Sequence, residues 1–169
     1  MTVTIREERP ADLEEVHALH VAAFGRAVEA TLADELRPIA DPLISLVADT
    51  EGVVAGRIIA TPVTVDGHSS PVPPMAFGPL GVLPAYQRTG IGGRLMRAAI
   101  EVCRGLGVPF VVLLGHPDYY PRFGFRPASD YGLSFAGIAP GPAAMALELI
   151  PGSIAAGGEI HYLPPFDAT

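Results

Sequence analysis

The chain has no lysine, no asparagine and no tryptophan, and among its 169 residues it holds one cysteine, Cys103, and one glutamine, Gln87. Each scarcity excludes something. Without lysine, a phosphate loop of the Gly-Lys-Ser/Thr kind cannot be built. A single cysteine cannot close an internal disulfide, and its place on the apolar side of a predicted helix reads as buried and inert. No stretch reaches the roughly 18 consecutive apolar residues that a spanning helix needs, and residues 1–8 alternate apolar and polar instead of placing a basic segment before an apolar one. The expectation is a soluble, cytoplasmic protein with no membrane partner. A net charge of -7 opposes nucleic-acid binding, which needs basic surface. Cationic partners suit the chain better, although mild acidity is first of all a solubility device.

What is present fits one compact domain: 49% of residues are hydrophobic and 17% charged. Richness in Ala, Gly, Pro and Arg beside those absences points to base composition of the genome and not to function. Val3 to Arg6 alternate as a strand, and Pro10 opens a helix running to Phe24, with Leu13, Val16, His20 and Phe24 on its apolar face. A second helical stretch covers residues 28–36. Residues 43–49 and 53–65 read as two strands joined by a tight turn at 50–52. A strand over 75–83 is interrupted by Gly78, Pro79 and Gly81, which predicts a bulge or splay. From Ile91, the residues Leu95, Ala99, Val102 and Leu106 share one helical face. Residues 109–114 form a short apolar strand, 144–150 and 159–163 two more. The order predicts an α+β fold: a mixed, mainly antiparallel sheet with helices on both faces and splayed central strands, containing one strand–helix–strand parallel pair.

The chemistry concentrates between the interrupted strand and the long helix, in Gln87-Arg88-Thr89-Gly90-Ile91-Gly92-Gly93. Glycines at alternate positions let backbone N–H groups turn inward, and the helix that follows adds its positive end, together making a cradle for a pyrophosphate. Arg88 supplies charge beside it. A dinucleotide fingerprint fails because Leu95 stands where its third glycine belongs. His17 and His20, three apart on the first helix, do not complete a metal ligand set, so no metal is expected. Gly67-His68-Ser69-Ser70-Pro71 lacks the second glycine of a nucleophile elbow.

Val82-Leu83-Pro84 followed by Gln87-x-x-Gly90-x-Gly92 resembles the coenzyme A loop of the GNAT superfamily of N-acetyltransferases. Tyr119-Tyr120-Pro121-Arg122-Phe123-Gly124-Phe125 is similar to that family's Tyr-x-x-hydrophobic-Gly-Phe motif. The resemblance covers residues 2–126 of one domain spanning 1–169, with 127–169 merely compatible.

The resemblance implies direct transfer of an acetyl, or related short acyl, group from acetyl-CoA to an amine. Leu80, Gly81 and Val82 would run beside the pantetheine, with the Val82 N–H polarising the thioester carbonyl. Tyr120 aligns with the tyrosine that protonates the departing thiolate, its rivals being Tyr119 for that role and simple packing against Phe123 and Phe125. His116 and Asp118, at the end of a strand, and Glu29 or Glu35, on the second helix, are candidates for handling the amine or its proton. The acceptor would be a small-molecule or peptide amine, and a homodimer is compatible with everything above. A rival reading is a CoA-binding regulatory or sensor domain without turnover.

Overall fold

Strands rich in valine and isoleucine build the antiparallel ladder of the N-terminal half. In the computed structural model, which describes residues Met1–Thr169, β1 (Val3–Glu7), β2 (Ile44–Thr50) and β3 (Val53–Pro62) pair in sequence order. The predicted turn is present: Glu51 and Gly52 take φ of 52° and 87°, and the Gly52 N–H donates to Asp49 Oδ1 at 2.9 Å. The chain divides into two compact units. One comprises Met1–Thr61, Gly78–Glu101 and Pro164–Thr169, the other Pro62–Phe77 and Val102–Leu163.

In the first unit, α1 (Leu13–Phe24) and α2 (Val28–Leu36) follow a short 3-10 turn at Pro10–Asp12. Gly25, in the left-handed region at φ 70°, stops α1. Val16 and Leu19 of α1 pack on Val47 and Val54. Val47 lies opposite Arg57 and Ala48 opposite Gly56, so neighbouring positions of β3 face opposite sides of the ladder. The Gly56 side meets α3 (Ile91–Leu106). Helices therefore cover both faces of this ladder, as the sequence pattern requires.

Two predicted faces need correction. Leu13 and Phe24 are exposed, and the buried side of α1 turns through Val16, Leu19 and His20. On α3, Val102 and Leu106 are exposed while Cys103 is fully buried, because a 3.6-residue repeat carries the stripe through positions 91, 95, 99 and 103. Burial pushes the Cys103 thiol up to about 12, which leaves it an inert thiol.

In the second unit, the first residues of β5 (Met75–Val82) run parallel to β6 (Phe110–Leu114), which pairs antiparallel with β9 (Ala144–Glu148) and that in turn with β7 (Arg126–Pro127). A second, three-stranded sheet joins β4 (Thr64–Val65), β10 (Gly158–His161) and β8 (Leu133–Phe135). Residues 53–65 are thus not one strand. The Val63 N–H donates to Pro74 O at 3.0 Å, and Thr64 and Val65 pair with β10 instead. The core here gathers Val63, Val65, Phe110, Val112, Phe135 and Ile160. β7 lies where the sequence leads back into strand after Phe125, whereas β8 is too short for a periodic signal.

His20 is fully buried. Burial first, and then the Arg57 guanidinium, push its imidazole down to about 4 against the pull of Glu29 and Asp34. In the unfolded chain it titrates near 6.5, so between about pH 6.5 and 4 the unfolded state binds a proton that the folded state refuses. Stability is therefore lost as pH falls through that window. Urea midpoints at pH 7 and pH 4 should show this group costing on the order of 3 kcal/mol in the natural chain, a loss that His20→Leu does not suffer.

Candidate active site

β5 registers with β6 only at Met75 and Ala76. Further along, in the first unit, the Leu83 N–H donates to Ala55 O of β3 at 2.8 Å. Backbone groups alternate in direction along a strand, so the N–H and C=O of Val82 point to the edge away from β3. The Val82 carbonyl is answered there by Gln87 Nε2 at 3.0 Å. What that edge offers at this position is the Val82 N–H, the donor anticipated for a thioester carbonyl. Gln87 accordingly ties the loop to the strand through its side chain.

A short 3-10 turn, Pro84–Tyr86, carries the chain into the loop. Arg88 and Gly90 adopt left-handed backbone at φ 61° and 87°, which curls the segment. The Thr89 hydroxyl donates to Tyr86 O and fixes the curl from within. Arg94 makes the first helical bond, to Gly90 O at 3.1 Å. The N–H groups of Ile91, Gly92 and Gly93 consequently lie ahead of any intrahelical acceptor, at the positive end of a 16-residue helix. Arg88, Thr89 and Gly90 are exposed. Free donors, helix end and guanidinium are thus concentrated in one open segment, an arrangement suited to a diphosphate.

Two contacts seat this helix. Arg94 Nη2 donates to Val3 O at 2.9 Å. At Gly56, a Cβ would stand 2.9 Å from both Ile91 Cγ2 and Leu95 Cδ1, so α3 approaches β3 as closely as a missing side chain permits. Gly56 was not singled out in the sequence, although an isolated glycine inside a valine-rich strand is the standard sign of such an approach.

The tyrosine motif lies in the second unit. The carbonyl of His116 accepts the N–H groups of Tyr119 and Tyr120 at 3.1 and 3.4 Å and opens the 3-10 turn Tyr120–Phe123. Tyr120 meets Tyr119 and Phe125 edge-on, with ring centres 5.1 and 6.0 Å away. A Cβ at Gly115 would fall 2.2 Å from Tyr120 Cε2, so the glycine at the end of β6 makes the place for this ring. Burial, with Tyr119 adding, raises the Tyr120 phenol above its ordinary value, and it keeps its proton at neutral pH. Arg122 stacks over Tyr119, its guanidinium carbon 4.3 Å from the ring centre.

Of the remaining candidates, the side chains of His116 and Asp118 are exposed. Glu29 accepts Arg26 Nε at 2.9 Å. Burial pushes the Glu29 carboxyl up, but the Arg26 hydrogen bonds with further favourable neighbours outweigh it and hold the group below its usual range. Glu35 lines a shallow, mainly apolar hollow with Ala27, Val28, Thr31 and Leu32.

Residues 4–128 match the model of the GNAT acetyltransferase domain, and the chain belongs to that family. Over 125 residues, 72% of this chain and 69% of the relative, it is 40% identical to the N-acetyltransferase YjhQ of Escherichia coli K12, which is itself uncharacterized. Among solved structures it resembles the GNAT family N-acetyltransferase YhbS of Escherichia coli in complex with CoA, with a TM-score of 0.89 and 30% identity over 98% of this chain and 92% of that one. A GNAT family acetyltransferase from Brucella melitensis, in complex with acetyl-CoA, gives a TM-score of 0.81 and 34% identity over 98% and 99%.

Gly56→Val should displace the start of α3, lowering stability by about 1–3 kcal/mol. It should also weaken CoA binding about tenfold, since the cradle moves with the helix. Calorimetric titration of CoA beside a thermal melt checks both.

Proposed function

We propose that this chain transfers the acetyl group of acetyl-CoA directly to an amine, borne by a small molecule or a peptide, with a related short acyl group as an alternative cargo. The observation that carries the reading is the row of free N–H groups at the start of α3, curled by left-handed Arg88 and Gly90. The CoA and acetyl-CoA bound to the Escherichia coli and Brucella melitensis relatives support it. In this reading, residues 87–93 hold the pyrophosphate, with Arg88 adding charge and the other groups acting through backbone. Leu80, Gly81 and Val82 flank the pantetheine, and no metal is required.

The amine nitrogen attacks the thioester carbon with its lone pair, and the carbonyl oxygen takes on negative charge that the Val82 N–H stabilises. The C–S bond then breaks with its electron pair going to sulfur, and Tyr120 gives its hydroxyl proton to that thiolate. A phenol held protonated by burial is suited to this step. His116 and Glu29 are the groups assigned to the amine and its proton. His116 is free in solvent for such work, whereas Glu29 is already engaged by Arg26. The acidic chain favours a cationic acceptor, and no helix is long and apolar enough to cross a membrane. A cytoplasmic place and a homodimer are consistent with this reading.

Two measurements test it. Acetyl-CoA should raise the melting temperature where ATP and NAD do not, and a panel of primary amines should release thiol. Protection without thiol release would instead favour a CoA-binding regulatory domain. Tyr120→Phe should lower kcat about 100-fold with CoA affinity nearly unchanged, and an equal rate would remove the tyrosine from the mechanism.

A further inference from the structure

His20 has 0% exposure, and neither ring nitrogen has a hydrogen-bond partner within the chain. A neutral imidazole carries one donor and one acceptor, and leaving a buried donor unanswered is destabilising. A leucine would fill the same place without that cost. The ring is nonetheless held firmly: it stacks on Phe24 with planes 2° apart and centres separated by 5.9 Å. Its Nδ1 edge faces Gly81 of β5, where a Cβ would stand 3.3 Å from Nδ1. Gly81 therefore lets the imidazole reach the strand backbone at the residue just before Val82.

Four charged or titratable groups act on the ring: Arg57 from β3, Glu29 and Asp34 from α2, and His17 from α1 itself. Burial and Arg57 prevail, and the imidazole stays neutral at physiological pH. A ring in that state is a poor proton acceptor and a serviceable hydrogen-bond donor, the state in which a histidine polarises a carbonyl without giving up its proton. Its Nδ1 edge lies against β5, the strand that carries Val82.

We propose that His20 donates a hydrogen bond to the acetyl thioester carbonyl of acetyl-CoA, as a second donor beside the Val82 N–H. The proposal rests on the acetyl-CoA reading above and adds a side-chain donor to it. No proton is transferred: the carbonyl oxygen gains charge as the amine adds, the hydrogen bond to it strengthens, and the charge returns to form C=O as the thiolate leaves.

The test uses [1-13C]acetyl-CoA bound to the intact chain, so it does not depend on the acceptor. Its carbonyl stretch should lie lower on the natural protein than in solution, return toward the solution value on His20→Phe, and stay low on His20→Asn, which keeps an N–H donor. With an amine that turns over, His20→Phe should lose about 100-fold in kcat while the Kd for acetyl-CoA stays within about twofold. His20→Leu serves in place of the phenylalanine variant should the larger ring prevent folding. An unchanged stretch in the variant, or a Kd that rises in step with the lost rate, overturns the proposal and leaves the acetyl-CoA reading standing. Failure of the natural protein to bind acetyl-CoA overturns both.

Discussion

The position of α3 depends on the bare backbone of Gly56. A glycine in the interior of a strand gives up β-propensity and packing surface, and β3 surrounds this one with Val54, Ala55, Ile58 and Ile59, residues that suit a strand far better. The return is distance. Ile91 and Leu95 occupy the volume a side chain would have taken. Ile91 is also the first residue of the helix, so the side chain that presses into the strand and the N–H that faces the loop belong to one residue. Packing and the placement of the first helical N–H groups are therefore coupled without any intermediary.

The other face of β3 works by opposite means. Beside Gly56, Arg57 is 1% exposed, its Nη2 paired with Glu8 at 2.8 Å and its Nε donating to Ser45 Oγ at 3.1 Å. Glu8 also takes Arg37 at 3.1 Å, so two guanidinium groups share one carboxylate. Removing one partner of such a pair strands a buried charge at a cost of about 3–5 kcal/mol. Desolvation pushes Arg57 down to about 10, which leaves it charged at neutral pH. That retained charge helps to keep His20 neutral. β3 thus presents a bare backbone to α3 at Gly56 and a buried positive charge on its other face at Arg57.

Backbone-driven features were the legible ones. The glycines of 87–93, the interruptions at Gly78, Pro79 and Gly81, and the turn at 50–52 follow from conformational rules that act within a few residues. Errors came where a contact distant in sequence decides: which side of α1 is buried, where the stripe on α3 ends, and the transfer of Thr64 and Val65 to another sheet. Gly56 and Gly115 carried readable signals of close approach, but nothing local names Ile91 or Tyr120 as the groups that approach them. His20 read as an ordinary helix histidine. Its missing partners can be seen only when every neighbour is in place.

Gln87 marks where local reading and packing part. As the only glutamine, beside an arginine, it reads as a ligand for the pyrophosphate. In the fold its amide reaches back to the Val82 carbonyl. This fastens the end of β5 to the loop that leads into α3. The amine side has no counterpart to this backbone scheme. Its candidates, His116, Glu29 and Glu35, are separate side chains in different surroundings, two of them exposed and one engaged by Arg26. A site built from backbone donors keeps the same donors whatever side chains surround it, while a site built from side chains is specific only through their arrangement, and so the donor of the acetyl group is written in this chain more plainly than its recipient.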